Sequence, residues 1–209
     1  MNLFRRKQKT EERAIDEILP SKMKLGTTLF TDVFQFMLND DFVFKFDIDS
    51  FIVESMSEYR MHGTNFINLY LKSEDETIQF LMIELKEDNS VEKIVFFYEY
   101  DDVEPDDDEG WDQWLNDENG YIGAEEFTIE DDGLDKTFIN YYDKGRIEFE
   151  ETLFNESGEE IDSYNSMMSL YSRDVDHSNE YVYLSKVETE EEAFISISIG
   201  VEISLNDLK

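Results

Sequence analysis

The sequence predicts an α+β domain that is β-rich, with largely antiparallel sheets of about ten short strands and two or three short helices. Three observations carry this. Apolar residues recur with a period of two over most of the chain after Phe42. Helical spacing is confined to three short stretches, near residues 14–19, 29–38 and 111–115. Strands and helices do not alternate as βαβ units, so parallel crossovers are not expected.

Taken in order, residues 1–24 form a basic, weakly helical or disordered leader, and residues 25–209 form a single domain. The leader holds seven basic and four acidic residues, a net of +3, while the remainder holds 11 and 48, a net of -37. Ala14, Ile15, Ile18 and Leu19 make a narrow helical stripe that Pro20 ends. Phe30, Val33, Phe34 and Met37 repeat at helical spacing over Leu29–Leu38. From Phe42 to Ile48 the period switches to two, predicting a strand. Phe51–Met56, Phe66–Lys72, Thr77–Leu85 and Val91–Tyr100 follow as strands, and Ile78–Leu85 is apolar on both faces, as in a central strand. Asp131-Asp132-Gly133 between two apolar runs is a hairpin signal. Ile147–Phe154, Ser166–Ser172 and Tyr181–Leu184 are further strands. In the closing run, Ile195, Ile197, Ile199, Val201, Ile203 and Leu205 share one face, and Ser196, Ser198, Glu202 and Ser204 the other.

The net charge of -34 with 14% aromatic residues excludes some classes. Patterned Phe and Tyr favour a folded core over disorder. Recognition of nucleic acid by so acidic a body is electrostatically unfavourable. With no cysteine, disulfides and thiolate chemistry are absent, and no run is long and apolar enough to span a membrane. The cytoplasm is the expected location. His62 and His177 fit no metal-binding spacing, and no nucleophile elbow or phosphate loop occurs, so no cofactor is expected and catalysis is not favoured.

The candidate binding residues cluster between Asp101 and Gly123. Trp111, Trp114 and Leu115 lie on one helical face, which packs on the sheet or docks a protein partner. Asp106, Asp107 and Asp108 suit the helix N-terminus. Residues 115–126 look like a calcium loop, with Asp117, Asn119, Gly120 and Glu126 in register, but Leu115 stands where the first ligand should be, so chance similarity is the reading. The leader offers a contact to anionic lipid. A non-enzymatic interaction protein is the leading reading and a divalent-cation or polyamine binder the alternative. A third is an enzyme of unrecognised type that gathers Tyr141, Arg146, Arg173 and His177.

The ordered segments LPSKMKLGTTL, IVFFYEYDDVEP, WDQWLNDENGYIG, SMMSLYSRD, NEYVYLSKVETEE and ISISIGVEISL resemble the YjfK-like family, a bacterial domain of unknown function, from about Leu19 to Leu208. The resemblance implies no catalytic residues. Its genes tend to lie beside those of phage-shock-type membrane-stress proteins, small membrane proteins and a glutathionylspermidine-synthetase-like ligase, which implies an accessory role in membrane stress or polyamine-linked chemistry.

Overall fold

The computed structural model describes residues 19, 23–31, 33, 36, 38–46, 50–73, 78–116, 120–142, 145–155, 157–188 and 193–209. The expected helix at 14–19 lies outside them, apart from Leu19.

Eleven strands and one helix are present among the described residues: β1 (Thr28–Phe30), β2 (Ser50–Met61), β3 (Thr64–Lys72), β4 (Gln79–Leu85), β5 (Val91–Val103), α1 (Asp108–Leu115), β6 (Glu126–Asp131), β7 (Leu134–Asn140), β8 (Ile147–Phe154), β9 (Glu160–Val175), β10 (Ser178–Glu188) and β11 (Ala193–Ile203). Every pairing is antiparallel. The order β2-β3-β4-β5-β11-β10-β9-β8 returns to β2, so eight strands close into a barrel and β1, β6 and β7 lie outside it.

The α+β expectation with two or three helices is thereby corrected: the protein is essentially all-β. Partners distant in sequence override the local pattern at two places. Leu29 and Phe30, expected to open a helix, pair instead with Phe51 and Ser50 of β2. Phe30 also exchanges backbone hydrogen bonds with Lys209 at 3.0 and 2.9 Å. The strand expected at Phe42–Ile48 is absent over its described part, Phe42–Phe46. Two of its amides are taken by side chains: Phe44 N–H donates to the Glu180 carboxylate at 2.6 Å and Lys45 N–H to the Tyr98 hydroxyl at 3.3 Å. Glu180 is buried and paired at 2.6 Å with Arg173, which also donates to the Asp41 carbonyl. A side-chain acceptor at each point lets this segment cross the strands rather than join the ladder.

Other expectations hold. β4 is buried on both faces. The β6–β7 turn has Asp132 at φ 51° and Gly133 at φ 76°, the two left-handed residues that a two-residue hairpin needs.

The two faces of the barrel wall bury different cores. Leu81, Ile83, Ile94, Phe96, Val182, Leu184, Ile199 and Val201 point outward, because they cluster with Met23, Leu29, Phe44, Ile129 and Phe138 from the segments wrapped around the wall. The other cluster draws only on barrel strands and so fills the interior: Tyr59, Phe66, Phe80, Met82, Val95, Phe97, Phe149, Leu170 and Tyr183 among others. Eight strands leave an interior just wide enough for side chains. Phe97 stacks on Phe80 at 4.9 Å and lies 5.7 Å from Tyr183. Gly200 of β11 faces Phe97, and a Cβ there would stand 2.5 Å from its ring.

Candidate functional site

Polar side chains gather at the two ends of this interior. At one end, Glu151 of β8 sits on the same face as Ile147 and Phe149, so the alternation of the strand turns its carboxylate inward. It is 4% exposed, a value that demands partners. Oε1 accepts from the Ser57 hydroxyl, from Asn68 at 3.3 Å and from the Tyr70 hydroxyl at 3.0 Å. Oε2 accepts from Ser166 at 2.7 Å. Tyr59 adds a second tier, donating to Asn68 Oδ1 at 3.3 Å and stacking on Phe149 at 4.3 Å. Burial, then the Glu151 charge, pushes the Tyr59 and Tyr70 hydroxyls well above the usual phenol range. Tyr164, opposite Glu151 on β9, leads this network to solvent, and burial pushes its hydroxyl up to about 12.

The location of Glu151 explains its role. β8 joins β2 through three residue pairs, Met56–Phe154, Ser57–Leu153 and Glu58–Thr152, the shortest ladder in the barrel. Glu151 bonds to β2, β3 and β9 from beside that seam, and Tyr59 on Phe149 crosses it.

At the other end Lys93 of β5 points inward, with its side chain 10% exposed. Its ammonium donates to the Tyr141 hydroxyl at 2.7 Å, lies 3.6 Å from Glu84 and sits 4.1 Å above the Tyr141 ring. Tyr181, whose hydroxyl donates to Glu202 at 3.2 Å, and the Tyr142 ring complete this plug. The buried Tyr142 hydroxyl has no hydrogen-bond partner. Beside the turn between β9 and β10, a groove of about 540 Å³ is lined by Phe36, Phe42, Asp176, His177, Glu202 and Asp207, with five neighbours.

The residues singled out from the sequence fall elsewhere. Trp111, Trp114 and Leu115 of α1 are half-buried against the outer core, and Trp114 meets Tyr121 edge-on at 4.9 Å. Asp107 is the N-cap, accepting from Gly110 N–H at 2.9 Å, and Asp108 starts the first turn, while Asp106 is exposed. In the calcium-like loop, 117–119 lie outside the described residues. Gly120 folds back on α1 so closely that a Cβ would stand 2.6 Å from the Asn116 nitrogen. Among the described residues no group of three or more His, Asp or Glu is placed to hold a metal ion. Tyr141, Arg146, Arg173 and His177 are engaged separately: Tyr141 with Lys93, Arg146 with the Leu115 carbonyl at 2.6 Å, Arg173 with Glu180, and His177 on the groove. No helix among the described residues is long and apolar enough to cross a membrane.

Sequence reasoning missed Glu151, Glu84 and Lys93. The available signal was a charge at an inward step of an apolar alternation: Phe80-Met82-Glu84, Lys93-Val95-Phe97 and Ile147-Phe149-Glu151.

Burial raises the carboxyls of Glu58, Glu99 and Glu180 above their ordinary value. These groups bind protons more tightly folded than unfolded, so their stabilising contribution is present at low pH and lost as pH rises through the folded pKa. Relief of the -34 self-repulsion acts in the same direction. The melting temperature is expected to climb as pH falls from neutrality toward the ordinary carboxylate range. A flat or falling curve in scanning calorimetry would show that carboxylates requiring their charge dominate instead.

No curated protein and no solved structure matches this chain. One family does, over residues 2–209, and the chain belongs to it: the family described as protein of unknown function (DUF2491).

Proposed function

We propose that the protein is a non-enzymatic accessory protein that acts by binding another protein, in the cytoplasm beside the membrane, in the response to membrane stress. The observation that carries this is that the inward charged groups are committed to their neighbours. Glu151 is held by donors from three strands, and Lys93 by Glu84 and Tyr141. A group that holds a wall together is poorly suited to exchanging protons with a substrate. Recognition then falls to the outer surface, whose negative field steers positively charged partners over a Debye length of about 8 Å at physiological salt. The membrane-stress setting rests on the gene neighbourhood of the resembling family, as an analogy.

The test is affinity capture with the tagged full chain from native lysate, split into soluble and membrane fractions. It is compared with a variant in which Arg5, Arg6, Lys7 and Lys9 are glutamine. A defined partner or membrane association is expected with the parent chain, and membrane association should fall at least about fivefold in the variant, since each basic residue near an anionic surface is worth about 1 kcal/mol. Capture of nothing specific in either fraction at moderate salt would overturn the proposal.

A further inference from the structure

The barrel wall has a gap in its hydrogen bonding. β9 pairs with β10 only from Met167 onward, while its first half pairs with β8 alone. From Glu160 to Ser166 one edge of β9 therefore has no strand beside it among the described residues. All six residues from Glu160 to Asn165 are exposed, including Ile161 at 55% and Tyr164 at 39%. The Ser163 amide bonds to the carboxylate of its own neighbour Asp162 at 2.8 Å, which marks it as turned away from β8. The other free edges differ. β1 is closed by Lys209, and β6 buries Ile129 against the core.

We propose that this edge is a docking site for an extended, Lys/Arg-rich segment of a partner protein, added to β9 as a further antiparallel strand. The inference rests on the interaction reading above and names the partner's chemistry. A free strand edge offers rows of N–H and C=O groups to any extended chain. Charge selects among them. Glu160 and Asp162 lie on the edge and Glu150 is exposed on the adjoining β8, while the nearby Glu148 and Glu188 are paired with Arg146 and Lys186. A second copy of this chain, at -34, is repelled, so the acids that protect the edge from self-association leave it open to a basic strand. Ile161 and Tyr164 lie on opposite faces of β9, so each supplies apolar contact on one face of the incoming strand.

The test titrates the full chain with an eight-residue peptide of alternating lysine and valine. The controls are the glutamate–valine counterpart and Ser163→Pro. Proline there removes an outward N–H and leaves the β8 ladder intact. One-to-one binding of the basic peptide is expected, weakening with salt and at least tenfold weaker in Ser163→Pro at an unchanged melting temperature. Slowed hydrogen exchange at Glu160–Ser166 should accompany it. Equal binding by Ser163→Pro, no added protection at these amides, or amides already slow in the free chain would each overturn the edge assignment. Specific capture from lysate that Ser163→Pro leaves intact would retain the interaction reading while removing the edge from it.

Discussion

Replacing Glu151 with leucine is expected to cost about 3–5 kcal/mol of unfolding free energy, because several buried donors lose their acceptor at about 1–3 kcal/mol each. Ser57, Asn68, Tyr70 and Ser166 all direct hydrogen bonds to this carboxylate. A loss of that size is a large share of the 5–15 kcal/mol typical of a domain. Glu151→Gln keeps Oε1 and should lose about 1–2 kcal/mol, since the Ser166 hydroxyl can turn and accept from the new amide. Urea denaturation followed by tryptophan fluorescence reads both variants. Leucine tolerated within about 1 kcal/mol would mean that the carboxylate does not hold the β2–β8 seam.

The second large effect is expected at Gly200. A Cβ there would meet the Phe97 ring at 2.5 and 2.7 Å and the Phe96 carbonyl at 2.8 Å. Phe97 has little room to retreat, with Phe80 and Tyr183 on it. Gly200→Ala is expected to cost about 1–3 kcal/mol and Gly200→Val more, as overpacking does in a filled core. Adding Phe97→Leu to Gly200→Ala should recover part of the loss, a non-additivity characteristic of residues in contact. Thermal melts of the two single variants and the double variant decide it. Gly200→Ala at parental stability would show that the barrel can expand at this level.

How much was legible follows from one property of the closed barrel: along β4, β5, β10 and β11 both faces of its wall are buried. The alternation of β11 was plain in the sequence. Yet its serine face is the interior one, with Ser196 and Ser198 buried, and its isoleucine face meets the wrapping segments. Alternation reports strand period and not which side closes on itself. Closure depends on the three-pair contact of β8 with β2, which no local pattern encodes. The helix expected over Leu29–Leu38 gives way to a strand at its start because Phe30 found Lys209, a partner far along the chain, while residues 32, 34, 35 and 37 of that stretch lie outside the described residues. The tryptophan face of α1 was legible because i, i+3, i+4 spacing is local; its packing partners Tyr121 and Phe127 come from the chain that follows. The Glu151 network was not legible, since its donors lie on three other strands and each is an ordinary serine, asparagine or tyrosine by itself.

The position of β11 has a kinetic consequence. It follows every other strand in the chain, yet it lies between β5 and β10. Ile203 pairs with Ile94, so until β11 enters the two halves of the sheet meet only through the three-pair β2–β8 seam. Ring closure during synthesis must wait until the chain has emerged through Ile203, and until then β5 and β10 present open edges. Contacts so distant in sequence make for slow folding and a long exposure to aggregation. The strong negative charge then serves as protection during assembly, keeping half-built sheets of neighbouring chains apart until the keystone strand is in place.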